Sequence, residues 1–307
     1  MLVVPSVCRR SSQADWSHQI QSRPMPAVQN VDSSTVNGFG AQWSAFDQSR
    51  LSDSELQLQF DGYFRIFPWS HLLPNAIGFD AGCGSGRWAA KVASRVGWLH
   101  CIDASAAAVD VARQNLLGHK NCSFTVASID SLPFEDESMD FGYSLGVLHH
   151  LPDPAAGLRS CVAKLKPGSP ILVYLYYSLD HRPAWFRRIW RLAEVTRRVI
   201  SKLPFRLKII LTSVIATAVY WPLARVALLA GRAGVDVEHF PLSTYRHRSF
   251  YSMRTDALDR FGTRLERRFR REEIEAMMRR EGLRDVEFSD QAPYWCALGW
   301  RQGGQTN

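Results

Sequence analysis

Three glycines at two-residue spacing stand between a short apolar run and a helix-like segment: Asp80-Ala-Gly82-Cys83-Gly84-Ser-Gly86, followed by Arg87-Trp88. Glycine tolerates the backbone angles of a tight turn and lets a ligand approach the main chain closely. Asp103 ends the next apolar run, 17 residues past Gly86. An acid at that place hydrogen-bonds ribose hydroxyls where the strand order reverses. Loop and acid together describe a site for a nucleoside-bearing cofactor. A nicotinamide fingerprint wants Gly-x-Gly-x-x-Gly, and Arg87 occupies the place of its third glycine, so that reading is disfavoured. Leu148-His149-His150-Leu151 follows the fourth apolar run. Imidazole can accept a proton near neutral pH, which makes His149 and His150 candidate catalytic bases. The same run also suits capping of a strand and packing of the next helix. Tyr176, Tyr177 and Asp180 follow the fifth run, at the edge where such sheets bind ligands, and with Trp43 are candidates for the substrate side.

These residues need a sheet to hold them. Segments 77–81, 98–103, 123–126, 140–145 and 171–177 read as strands, with helices over 87–95, 105–117 and 153–165 between them. Ser105 is an N-cap and Gly118 a stop. Asp153-Pro154 opens the third helix and Lys166-Pro167-Gly168 closes it. Alternation of this kind predicts right-handed βαβ units and a parallel, doubly wound α/β sheet with helices on both faces. A helix resumes over 272–281, with short strands near 284–288 and 295–300. The expected sheet has five parallel strands and an antiparallel strand at one edge.

Over residues 76–177 the chain resembles the class I S-adenosylmethionine-dependent methyltransferases. Within them it is most similar to the type 11 group, which includes the ubiquinone/menaquinone C-methyltransferases. The matching residues are Asp80–Gly86, Asp103, Leu132-Pro133-Phe134, Asp140-Phe141, Gly146 to His150 with Asp153-Pro154, and Leu165 to Gly168. The resemblance implies a Rossmann-like methyltransferase fold with S-adenosyl-L-methionine as cofactor. It implies that Gly82, Gly84 and Gly86 face the methionine part, that Asp80 orients the loop and the amino group, and that Asp103 holds the ribose. Cys83, Ala104, Ile129 and Leu145 complete the implied cofactor set. Relatives often place an acid near the adenine four positions before Leu-Pro-Phe. Ser128 stands there in this chain, with Asp130 two residues on as a substitute. No metal is implied. Absence of an Asn/Asp-Pro-Pro-aromatic motif and of a Pro-Cys dipeptide makes nucleic acid an unlikely acceptor.

Residues 1–34 read as a disordered leader, 35–69 as helical N-terminal decoration, 70–177 as the cofactor-binding core, 178–269 as a basic and apolar helical insertion or lid, and 270–301 as the C-terminal part of the core. From Ser178 to Arg232 eleven Lys and Arg face two acids, a balance of +9 against +8 for the whole chain. Phe186, Ile189, Trp190, Ala193, Val199 and Ile200 are expected on one stripe of a helix over 184–202, with Arg187, Arg191, Glu194, Arg198 and Lys202 on the other. Residues 209–224 carry no charge, but a span needs roughly 20 apolar residues, and Pro222 and Arg225 are expected to break or charge it. Three placements fit: a lid whose apolar faces pack together, peripheral membrane contact through 184–231, or docking of an anionic soluble partner. Six cysteines with no C-x-x-C pair and an N-terminus unlike a signal peptide read as cytoplasmic, possible membrane association apart. The expected function is methyl transfer by in-line displacement to oxygen or carbon of a small or lipid-linked acceptor. The alternative is a non-catalytic module that binds the cofactor and docks through its basic insertion.

Overall fold

A computed structural model describes residues 30–179, 183–237 and 239–303. The sheet has seven strands in the order β3-β2-β1-β4-β5-β7-β6. They are β1 (Ile77–Ala81), β2 (Trp98–Asp103), β3 (Cys122–Val126), β4 (Phe141–Leu145), β5 (Pro170–Tyr174), β6 (Leu283–Phe288) and β7 (Cys296–Arg301). The first five are parallel, and β7 runs antiparallel to both β5 and β6. The antiparallel strand thus sits one place in from the edge, which β6 completes. Order reverses between β1 and β4, so the loop after β1 opens at the switch point.

Helices α3 (Arg87–Ala93), α4 (Ala106–Asn115) and α5 (Pro154–Lys164) make the crossovers. The Ser105 hydroxyl accepts from Ala108 N, and Asp153 Oδ1 accepts from Ala155 N and Ala156 N at 3.0 and 3.1 Å. These caps satisfy N–H groups that have no partner inside the helix. Helix α10 (Arg271–Arg280) packs on one sheet face with α5, around Phe79, Ile102, Leu158 and Ile274. On the other face α2 (Asp53–Tyr63) and the turn after it lay Phe60, Phe64 and Phe67 over Phe141 and Tyr143 of β4. Burying each of those rings contributes about 2–3 kcal/mol.

The leader expected over 1–34 ends sooner than its boundary. Residues 1–29 lie outside the described residues, but Asn30 is buried and its side chain brackets the Asp153 backbone, donating to the carbonyl at 2.8 Å and accepting from the N–H at 2.6 Å. Helix α1 (Ser33–Ala45) follows, capped by Asp32. It runs against α4, and a side chain at Gly40 would start 2.3 Å from Ser105 Oγ, so only glycine permits that approach.

The insertion is helical: α6 (Ala184–Ile200), α7 (Phe205–Ile215), α8 (Trp221–Arg232) and α9 (Phe250–Gly262). The single apolar stripe expected on α6 divides in two. Ile200 is buried, and Phe186, Trp190 and Ala193 are half-buried on the inner side. Trp185, Ile189, Leu192, Val195 and Val199 point to solvent, with Leu192 70% exposed. The sequence offers two apolar faces and the insertion supplies one partner, α9. Pro222 does not break the next helix. Phe205–Arg232 is continuous, because a π-turn at Ala216–Tyr220 immediately before Pro222 widens the backbone where an α-turn would meet the proline ring. Among the described residues this 28-residue helix is long and apolar enough to cross a membrane by length and composition. Its stripe Thr212, Ala216, Tyr220, Ala224 and Ala227 is buried, with Ala216, Tyr220 and Ala224 packed on Met253 and Ala257 of α9. The opposite stripe, with Leu207, Ile210 and Val214, is exposed. Arg225 is drawn in, stacked over Trp221 and donating to the Arg248 carbonyl.

Ion pairs tie α6 to α9 and to the segment beyond it. Glu194 accepts from Arg197 and Arg260, and Glu266 accepts from Arg260 and Arg268. Partial burial raises the Glu194 pKa, but Arg197 and Arg260 outweigh it and hold the carboxyl down at about 2. A lowered folded-state pKa stabilises above the unfolded value near 4.5, and the gain is lost as pH falls from there towards 2. Glu194→Gln should therefore melt below the parent chain at pH 6–8, with the difference shrinking below pH 4.5 and gone near pH 2 in a calorimetric pH series. A constant difference across that range would contradict the pairing.

Candidate cofactor and acceptor site

The loop after β1 folds back over β2: Gly82 N and Cys83 N both donate to the Ile102 carbonyl, at 2.8 and 2.9 Å. Gly82 has φ +87°, and a Cβ there would lie 2.3 Å from Val147 Cγ2. Asp103 fixes the loop from the neighbouring strand. Its Oδ2 accepts from Gly84 N at 3.0 Å and its Oδ1 from Ser105 N at 2.8 Å. Burial raises the Asp103 pKa, and the two N–H groups oppose that rise. Each oxygen keeps lone-pair capacity for a hydroxyl donor.

A cavity lies above this loop, between it, β4 and α1. Of the residues expected at the cofactor, Gly82, Cys83, Gly84, Asp103, Ala104, Ser128, Ile129 and Leu145 line it. Gly86 does not. It initiates α3 at φ +75°, and a Cβ there would strike Leu116, so its role is helix packing. Asp80 is also absent from the wall. It is buried below the loop beside Tyr143, its partner in strand register, and burial pushes its carboxyl well above the usual range. Asp130 does not replace the missing adenine-side acid, because it is outside the wall and accepts from Asn30 Nδ2. Among the described residues, Ser85 of the cavity wall has a buried Oγ with no hydrogen-bond partner. Glycines whose missing side chains leave the cradle open, a strand-ending acid and that hydroxyl fit an adenosyl cofactor with an amino-acid tail.

His150 lines this cavity. Its Nδ1 lies 2.6 Å from the Leu265 carbonyl, which can only accept, so Nδ1 carries the hydrogen and Nε2 keeps a lone pair. That Nε2 is buried without a hydrogen-bond partner among the described residues. His149 lines neither cavity: it is fully buried and stacked on Tyr176 at 3.9 Å between centroids. Burial holds its pKa well below the usual value, so it remains neutral.

A second cavity, of about 530 Å³, lies between the core and the insertion. Trp43, Tyr176 and Tyr177 line it, three of the four substrate-side candidates; Asp180 lies outside the described residues. Tyr176 donates to Asp259 Oδ2 at 2.5 Å, and among the described residues Asp259 Oδ1 has no hydrogen-bond partner. Phe39, Trp43, Arg87, Trp88, Leu145 and Gly146 belong to the walls of both cavities. Sequence reasoning missed Phe39 and Thr35 of α1 as cavity walls; it places Asp259 with Arg254 and Asp256 in a polar stretch able to close over a substrate, but not its burial or its bond to Tyr176. Only the aromatic spacing around 39–46 signalled the first two, and pairing of Tyr176 with Asp259, 83 residues away, leaves no local pattern.

A strand-order switch, a glycine loop and a ribose-type acid define an adenosyl-cofactor domain of the α/β class. Residues 79–173 match the family described as methyltransferase domain, type 11. That match takes in β1 to β5 and the glycine loop, about a third of the chain. The chain is 32% identical over 132 residues to a ubiquinone biosynthesis O-methyltransferase of Xanthomonas campestris, covering 42% of this chain and 54% of that one. It is 29% identical over 133 residues to the "Probable tRNA methyltransferase 9B" of Mus musculus, covering 42% of this chain and 28% of the other. The chain spans about half the length of the first of these relatives. A solved S-adenosylmethionine-dependent methyltransferase from Methanosarcina mazei gives a TM-score of 0.46 at 16% identity, over 77% of this chain and 98% of that one.

Proposed function

We propose that the chain transfers a methyl group from S-adenosylmethionine to oxygen or carbon of a small or lipid-linked acceptor, held in the large cavity while the insertion rests on a membrane surface. The observation that carries this reading is the wall common to the two cavities, which sets an acceptor beside the cofactor. When bound, the cofactor supplies a methyl group activated by its sulfonium. The chain's own contribution is alignment and exclusion of water. Asp103 and the loop fix one end, and the aromatic walls Trp43, Trp88 and Tyr176 enclose the other. His150 lines the smaller cavity, so its Nε2 would accept the proton of an acceptor hydroxyl that reaches past the shared wall, with Leu265 fixing the ring's tautomer. His149 backs Tyr176 as a neutral packing group.

The outward stripes of α6 and α7 favour membrane contact over a closed lid, since a lid would bury them. Arg187, Arg188, Arg191 and Arg198 are exposed on α6 and Lys202 just beyond it, and each cation near an anionic bilayer contributes about 1 kcal/mol. Because the inner stripe of Phe205–Arg232 is already packed on α9, the helix lies in the interface rather than across the bilayer. Purified chain should release S-adenosylhomocysteine with a membrane-lipid extract and should float with anionic liposomes. Flotation should weaken with salt and in Leu192→Asp/Ile210→Asp. Absence of flotation at low salt sinks the membrane part. Cofactor binding with no product from any extract favours the non-catalytic module.

A further inference from the structure

Six arginines line the large cavity, against three carboxylates. Three of the six are neutralised at short range, while Arg65, Arg87 and Arg246 have no ion pair among the described residues. Arg248 pairs with Asp256 at 2.8 Å, Arg260 with Glu194 and Glu266, and Arg268 with Glu266. Glu55 is engaged by Ser249 N and Ser252 Oγ. Arg87 differs from these. Among the described residues it has no ion pair or hydrogen bond, and its guanidinium lies over Trp88 at 4.3 Å and Trp43 at 5.8 Å from the ring centroids. Both rings flank the group at the edge common to the two cavities and leave its N–H donors unspent. A partly desolvated guanidinium without a carboxylate is a standing cost, relieved by a bidentate oxyanion.

Resting on the reading above, we propose that the large cavity takes an anionic acceptor, whose carboxylate or phosphate is gripped by Arg87 beside the cofactor. Tyrosines 63, 174, 176, 177, 220 and 245 form much of the remaining wall and suit an aromatic or unsaturated body. The acid class follows from charge: the acids that line the cavity, Glu55, Asp256 and Asp259, have partners of their own, and of the two lining arginines without an ion pair or hydrogen bond among the described residues, Arg65 and Arg87, only Arg87 also lines the cofactor cavity.

Calorimetry on the full chain, saturated with S-adenosylhomocysteine, tests this with phenyl phosphate, phenol, phenyltrimethylammonium and inorganic phosphate. Phenyl phosphate should bind at least about tenfold more tightly than the other three, as expected for a charge-assisted pair. Arg87→Gln should remove that preference and leave S-adenosylhomocysteine affinity within about twofold, while the surface variant Arg191→Gln changes neither. Equal binding of phenol and phenyl phosphate overturns the proposal, and so does equal binding of inorganic phosphate, since the tyrosines would then add nothing. About a tenfold loss of S-adenosylhomocysteine in Arg87→Gln also overturns it, by assigning Arg87 to the cofactor's own carboxylate. A parent chain that fails to bind S-adenosylhomocysteine at all overturns the cofactor reading instead.

Discussion

His150→Gln should lower the rate of methyl transfer by about 10²-fold or more, while S-adenosylhomocysteine binds as tightly as before. A positioned general base contributes roughly 10²–10⁴. Glutamine keeps an N–H able to donate to the Leu265 carbonyl, so the local fold is preserved, but its amide cannot accept a proton at neutral pH. Single-turnover kinetics with an acceptor that carries a hydroxyl would read the effect directly. His149→Gln is the control: it should perturb stability through Tyr176, because that ring touches neither cavity. Equal rate losses in the two variants would remove the distinction drawn between the histidines. An acceptor methylated on an already anionic oxygen needs no base and should be insensitive to His150.

Gly82→Ala should cost about 3 kcal/mol of stability, combining the strain of a left-handed backbone with overpacking. The added Cβ would face Val147 at 2.3 and 2.7 Å, and Val147 is β-branched, so its side chain has few ways to turn aside. Only displacement of the loop relieves the contact, which breaks the bonds to the Ile102 carbonyl and moves Gly84 from Asp103. A fall in melting temperature of about 5–10 °C and loss of S-adenosylhomocysteine affinity beyond about 100-fold are expected. A variant that melts and binds like the parent chain would show that the loop does not need its left-handed turn.

The glycine loop and its strand-ending acid were legible in the sequence because their signals are local. Gly82, Gly84 and Asp103 announce themselves by type and spacing, and Asp153-Pro154 marks a helix start without reference to the rest of the chain. Gly86 misled because a glycine needed for α3 to approach Leu116 looks identical to one that faces a ligand. The acceptor half joins α1, α2, β5, α9 and the loop before β7, and no short pattern records which faces meet. The reading of α6 failed for a related reason. A helical wheel shows that Ile189 and Ile200 are both apolar, but only the position of α9 decides that Ile200 packs and Ile189 does not. Pro222 was read as a breaker because a local rule does not anticipate the π-turn that admits it.

That π-turn also sets the phase between the two halves of a long rod. An α-helix advances about 100° per residue, so removing one residue from Ala216–Tyr220 would turn α8 by about that angle relative to α7. Ala224 and Ala227 would swing away from the insertion's core and bulkier neighbours would be driven into it. The five-residue turn thus works as a spacer of fixed length: substitutions along the outer face are tolerated, whereas a change of one residue in the count misaligns everything beyond it.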